Sequence, residues 1–190
     1  MKLINTIIQI LKDLLIFFLN FFSNQYRKYH FYYNNVIIKS IDKVSKDTII
    51  WKYTYIWYNT NITKTIIWNY CSIANNVSIW MWEHDLNKIS TNSIFYKNQY
   101  KELTKNDCII WNDVWIWVDS IIRRWVTIWN WAIIWANSFV NKNIPPYAIA
   151  VWNPAKIIKY RFNKEKIEKI KKSKWWKYNK IKAEQIINKL

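Results

Sequence analysis

The stretch IWNDVWIWVDSIIRRWVTIWNWAIIWANSFV, residues 110–140, decides the fold when it is read in sixes. Ile110, Ile116, Ile122, Ile128, Ile134 and Val140 recur six residues apart without a slip. Upstream, Ile50, Ile56 and Ile62 keep the same step, as do Ile67, Ile73 and Ile79 after one five-residue step. An amphipathic helix repeats every ~3.6 residues and a strand every ~2, so neither explains this period. Six is the repeat of a parallel β-helix, where short strands and tight corners alternate around a coil. The fourth residue after each aliphatic agrees: Thr54, Thr60, Cys71, Val77, Val114, Ser120, Val126, Ala132 and Ser138 are all small or β-branched. They suit a second inward-facing position in a narrow coil. The isoleucines are expected to stack in interior ladders, each burial contributing about 25 cal/mol per Å².

The chain has no Gly and 15 Trp in 190 residues. Average usage near 7% would give roughly 13 Gly. The residue after each ladder aliphatic is Trp at eight of twelve positions: Trp51, Trp57, Trp68, Trp80, Trp111, Trp117, Trp129 and Trp135. A coil corner wants a residue that tolerates positive φ, which is the role of Gly and the opposite of Trp. Trp131 follows Asn130 where Asn-Gly is the usual turn. Trp82, Trp125 and Trp152 also lie in Gly-like surroundings. These twelve Trp therefore read as Gly, decoded from UGA by a table that assigns it to Trp. Trp115, Trp175 and Trp176 read as true tryptophans.

With that substitution the segments IWNYCSIA (67–74), IWNDVWIW (110–117), RWVTIWNWAIIW (124–135) and IPPYAIAVWNPAK (144–156) resemble the hexapeptide-repeat acyltransferases. The branch they are most similar to is the xenobiotic and polysaccharide O-acetyltransferases, and the resemblance covers residues 47–178. It implies a mainly β fold: a single-stranded left-handed parallel β-helix with an N-terminal helix and a C-terminal helical tail. It implies acetyl-CoA as co-substrate and a homotrimer, with the pantetheine arm lying along the coils between two subunits. Trp117, Trp135 and Ala136 match corners that the arm approaches, so a true Trp there is expected to block it. Asn153 and Lys156, in the WNPAK segment, match the loop at the nucleotide end. Lys156 and Arg161 are candidate partners for its phosphates. His84 falls where similar enzymes carry their general base.

The chemistry fits that position. A thioester is already activated, but a sugar hydroxyl is almost fully protonated near neutrality. An imidazole, ordinarily titrating at about 6.5, can take that proton as the oxygen attacks. A backbone N–H in the cleft is expected to support the oxyanion. Glu83 or Asp85 is placed to orient the ring, or else both are solvated loop carboxylates. His30 sits in a tyrosine-rich connector with no motif around it and reads as structural. No metal-ligand cluster or P-loop signature is present. Two Cys make no disulfide framework, and Cys71 reads as a small core residue.

The expected organisation is an N-terminal helix and connector (1–46), the β-helix (47–160) with an excursion at 81–109, and a basic helical tail (161–190). A long loop on a rigid scaffold is where function is expected. The apolar run from Leu14 to Leu19 is too short to span a bilayer, which needs about 20 residues. Residues 1–23 either lie on the inner membrane face beside anionic lipid or cover the open coil end or a neighbouring subunit. The chain is otherwise expected to be cytoplasmic. A net charge of +17 suits a phosphate-bearing cofactor, a polyanion or anionic lipid. It is also what an AT-rich, Lys-rich gene produces. The expected acceptor is a surface glycan or its precursor. An antibiotic of the streptogramin or chloramphenicol type is the alternative. A non-catalytic scaffold is a further one, separated by whether transfer depends on His84. Nucleic-acid binding is not expected, because its support comes mainly from the Trp read here as Gly.

Overall fold

The computed structural model describes residues 27, 30–79 and 81–190. The expected helix at 1–23 and Trp80 lie outside them. Within them, every two- or three-residue strand of the six-step repeat is a rung in one of three parallel ladders. The first ladder runs Ile37–Ile38, Tyr55–Ile56, Ser72–Ile73, Trp115–Ile116, Ile133–Ile134 and Ala148–Val151. The second runs Asn61–Ile62, Ser78–Ile79, Ile121–Ile122 and Phe139–Val140. The third runs Ile49–Ile50, Thr65–Ile67, Cys108–Ile110 and Thr127–Ile128. The chain visits the three in rotation, which is a β-helical coil.

The register follows the ladder aliphatics. Ile110 pairs with Ile128, Ile116 with Ile134, and Ile122 with Val140. All twelve ladder aliphatics are at most 1% exposed. The small residues four positions later are equally buried. Where these are polar, most find carbonyls: Thr54 Oγ1 donates to the Trp68 carbonyl (2.9 Å), Thr60 to Ala74 (2.8 Å) and Ser120 to Trp135 (3.0 Å). A hydroxyl bonded to backbone costs little to bury, whereas a bare one costs about 1–3 kcal/mol. The coil begins earlier than residue 47: Ile37–Ile38 already pairs with Tyr55–Ile56, and Val44 bridges to Ile62.

The corners correct one sequence expectation. The residue just after each aliphatic does not take positive φ at any described position of the repeat. The left-handed residue is two places further on: Tyr53, Asn59, Tyr70, Asn76, Asp113, Asp119, Trp125, Trp131 and Asn137. Five of these nine are Asn or Asp, the non-Gly residues that accept this conformation most readily. The residue before several of them locks the corner. Asn69 Oδ1 accepts from Lys52 N–H (3.1 Å), Asn112 Oδ1 from Asn69 N–H (3.2 Å), and Asn130 Oδ1 from Asn112 N–H (3.0 Å). The amides thus form a column that closes successive coils.

Four of the post-aliphatic Trp rings stack on one another. Trp51, Trp68, Trp111 and Trp129 form a column with centroids 5.3, 5.1 and 5.5 Å apart and planes within 5°. That spacing follows from the parallel register, which sets neighbouring strands about 4.8 Å apart.

Ala148–Val151 turns through the cis Asn153–Pro154 bond into antiparallel Lys156–Tyr160. Helix α2 (Lys164–Ser173) and helix α3 (Lys180–Ile187) follow, after the short α1 (Gln99–Leu103) in the excursion. Asn163 and Asn179 cap α2 and α3, each side chain accepting from the N–H three residues on. The tail docks on the coil through a second apolar cluster of Trp131, Tyr147, Ile170, Trp175 and Ala183. Among the described residues, no helix is long and apolar enough to cross a membrane.

Candidate active site

The excursion leaves the coil after Ile79 and returns at Cys108. Across it Ile67 pairs with Ile110 and Ile79 with Ile122, so the coils on either side meet as ordinary neighbours. His84 lies at its start, exposed, in the wall of a cavity shared with Ile121 and Ile122. Its Nδ1 contacts the Thr91 carbonyl oxygen. A carbonyl can only accept, so Nδ1 is the donor in this contact, and in the neutral ring that leaves the lone pair on Nε2. That is the tautomer a general base needs.

The Glu83 carboxylate does not bond the ring itself. Its carboxylate faces the coil, where Oε1 accepts from Arg123 Nε and Oε2 from Arg123 Nη2, both at 2.8 Å. Arg124 Nε lies 3.2 Å from Oε2 as an ion pair. On the other side of His84, Asp85 N–H donates to Tyr96 Oη at 2.8 Å. Sequence reasoning missed Thr91, Tyr96, Arg123 and Arg124. The two arginines follow a ladder Ile, which was a legible clue that they stand at a coil edge.

His84 sits between two cavities. One, of about 410 Å³, is polar, with Asp85, Lys88, Glu102, Lys105, Asn106 and Arg123 in its wall. The other, of about 480 Å³, is apolar, with Met81, Trp82, Leu86, Ile121 and Phe139. A larger cavity, about 800 Å³, lies elsewhere, between the last rungs and the hairpin. It brings together Trp135, Ala136 and Asn153, along with Trp152 and Lys159. Trp117 is not in its wall, although its ring centroid is 4.4 Å from that of Trp135. Lys156 is exposed at the start of the hairpin strand and does not line this cavity; Lys159 does.

Arg161 is occupied at the tail junction. Its Nη1 donates to the Trp131 carbonyl at 3.1 Å and lies 3.5 Å from Asp113 Oδ2. Burial pushes the Asp113 carboxyl up to about 6, against the pull of Arg161. A carboxyl raised on folding stabilises the fold only while protonated. Its contribution is full below about 4, the unfolded value, and is lost as pH rises through about 6. The melting midpoint is therefore expected to fall across that window more in the parent than in Asp113→Asn. The side chain is 30% exposed, and screening limits the effect to the order of 1 kcal/mol. Equal pH slopes in the two proteins would contradict it.

Burial also raises both thiols, Cys71 and Cys108, well above their ordinary value, so neither is a ready nucleophile. Among the described residues no cluster of His, Cys, Asp and Glu is placed to hold a metal.

No family model matches the chain. A probable macrolide acetyltransferase of Lysinibacillus sphaericus is 38% identical over 138 residues, covering 67% of this chain and 75% of that protein. A chloramphenicol acetyltransferase of Agrobacterium fabrum is 32% identical over 133 residues, covering 64% of each, slightly under two thirds of its own length. Among solved structures, a hexapeptide-repeat-containing acetyltransferase of Vibrio cholerae O1 biovar eltor, complexed with acetyl coenzyme A, is similar with a TM-score of 0.53. It is 25% identical, over 62% of each chain.

Proposed function

Since this chain belongs to the hexapeptide-repeat acetyltransferases, we propose that it moves an acetyl group from acetyl-CoA to a sugar hydroxyl, with His84 as general base. The observation that carries the reading is His84 in the wall of a polar cavity, with its Nδ1 against the Thr91 carbonyl oxygen. The acceptor oxygen attacks the thioester carbonyl while Nε2 takes its proton. The C–S bond then breaks, and the departing CoA thiolate recovers the proton from the imidazolium. The polar wall of Lys88, Glu102, Lys105 and Asn106 suits a glycan better than an apolar drug. The reading includes a left-handed coil, a homotrimer, and acetyl-CoA held near Ala136 and Asn153, with Lys159 now a better-placed partner for its phosphates than Lys156. It also keeps residues 1–23 as a candidate contact with the inner membrane face.

A second reading has its own support. The relatives named for macrolide and chloramphenicol acetylation, together with the apolar cavity on the other side of His84, favour an antibiotic acceptor. CoA release measured with a panel of glycans and with chloramphenicol, a macrolide and a streptogramin separates the two. Turnover confined to the antibiotics would overturn the glycan reading.

The proposal extends to decoding: twelve of the fifteen Trp are Gly in the native protein. Three of the twelve, Trp125, Trp131 and Trp152, have φ of 52°, 61° and 81°. None of Trp115, Trp175 and Trp176 has positive φ. The buried Nε1 of Trp111 and of Trp131 lacks a partner among the described residues, at a cost of about 1–3 kcal/mol each. Trp135 and Trp152 also stand in the wall of the cavity proposed for acetyl-CoA. One codon shared by all fifteen Trp would end this reading. In the Trp-bearing chain, Trp125→Gly is expected to raise stability by about 1–2 kcal/mol, by relieving the left-handed backbone of a large residue. Denaturant titration checks it, and a loss of stability would count against the idea.

A further inference from the structure

We infer that Arg123, Arg124 and Tyr96 are positioning residues that fix His84 from both sides, the arginines through Glu83 and the tyrosine through Asp85. The inference rests on the reading of His84 as general base and adds what holds it in place.

The argument starts from where His84 stands. It belongs to a loop, and loops are the mobile part of a scaffold. A general base must nevertheless meet its proton within a fraction of an ångström, and a displacement of about 1 Å can cost on the order of 100-fold in rate. Something must transmit the rigidity of the coil to this loop residue. Arg123 is bound into the coil: its N–H donates to the Val140 carbonyl at 2.9 Å, and it follows the fully buried Ile122. Its guanidinium grips Glu83 through two parallel bonds, a fork that fixes direction as well as distance. Arg124, with its side chain only 12% exposed, reaches the other limb of the excursion, where Nη1 donates to the Leu103 carbonyl at 3.0 Å. The Glu83 N–H donates to that same carbonyl at 3.4 Å. Leu103 is fully buried at the end of α1. The outgoing limb, the returning limb and the coil edge therefore meet at one carboxylate and one carbonyl.

The other side of His84 is held separately. Tyr96 Oη accepts from Asp85 N–H, and the Tyr96 ring lies edge-on to the imidazole, with centroids 6.0 Å apart. With both neighbours held, the imidazole reaches the Thr91 carbonyl, and its tautomer is set. A half-exposed ion pair such as Glu83–Arg123 adds little to global stability. Its placement beside the base is therefore better explained by geometry than by folding.

The test uses the full chain and its Glu83→Gln, Arg123→Gln, Arg123→Lys and Tyr96→Phe variants, with the exchanged pair Glu83→Arg/Arg123→Glu. Two readouts are needed. CoA release gives kcat and KM; nitrogen-15 NMR of the imidazole reports the His84 tautomer without turnover. His30 is the only other histidine, and a His30→Gln spectrum assigns the signals. Glu83→Gln and Arg123→Gln are expected to lower kcat by about 10–100-fold with both KM values nearly unchanged. The NMR signal should move from one tautomer to an averaged mixture, while the melting midpoint stays near the parent's. Tyr96→Phe should give a smaller change in the same direction. Arg123→Lys should recover part of the activity, and the exchanged pair more than either single change. An unchanged tautomer and unchanged kcat in both Gln variants overturns the inference. If His84→Ala keeps full activity, the base reading fails instead, and the imidazole spectrum alone decides whether the clasp exists.

Discussion

Replacing His84 with Ala is expected to slow acetyl transfer by about 10²–10⁴-fold, the usual contribution of a positioned general base. The loss should fall on kcat and on kcat/KM together, because proton transfer is needed only in the transition state. Binding of acetyl-CoA should be nearly untouched, since the cavity proposed for it lies at Trp135, Ala136 and Asn153, away from the excursion. Folding should also survive. Among the described residues His84 contributes no side chain to either apolar cluster, and its ring contacts with Thr91 and Tyr96 lie within the same excursion. Steady-state CoA release, paired with a CoA-binding titration on the same variant, measures both halves. Full activity in His84→Ala would remove the residue from the chemistry. A parallel collapse of CoA binding would mean that the change had damaged the fold rather than the reaction.

Ile116→Asp is expected to abolish folding. Ile116 is fully buried and pairs in register with Ile73 on one side and Ile134 on the other. Its core cluster is made of aliphatic side chains, Cys, Ala and Phe31, and most of the small hydroxyls beside them are already committed to carbonyls. A carboxylate there has no cation to meet and no water to solvate it. The penalty is about 4 kcal/mol or more, a large share of the roughly 5–15 kcal/mol by which domains are stable. Ile116→Val, which removes only one methylene, should cost about 0.5–1.5 kcal/mol. Circular dichroism and denaturant melts on the two variants compare these outcomes. A cooperative melt for Ile116→Asp near the parent's midpoint would mean that the interior is wetter or looser than its burial implies.

The ladder was legible in the sequence because the coil constrains its interior at every turn. Only an aliphatic fills the inward strand position and only a small residue fits four places later, so the period survives even a composition without Gly. The corners were harder. The Trp that broke the expected pattern drew the corner to the wrong residue, whereas Asn59, Asn76, Asp113, Asp119 and Asn137 marked it correctly. Short polar side chains tolerate the left-handed region, and that signal ran alongside the more conspicuous one. The first rung at Ile37–Ile38 was missed because a single rung has no period. The site was legible at His84, through its position, but not in its support. Glu83 and Arg123 are 40 residues apart, and only the pairing across the excursion brings them together. Arg161 was a candidate phosphate partner through the resemblance and its charge; in the fold it lies against Asp113 and the Trp131 carbonyl, a junction between distant segments that the sequence does not show.

The way the ladder resumes after the excursion has a wider consequence. Ile79 meets Ile122 as closely as Ile122 meets Val140, although the first pair is separated by 43 positions and the second by 18. Closing a longer loop costs little, about 0.6 kcal/mol for each doubling of its length. The insertion behaves as an exchangeable cassette plugged into a seam of the coil. Descendants of such a gene can trade one cassette for another and change what the enzyme acts on, while the stack beneath goes on folding as before.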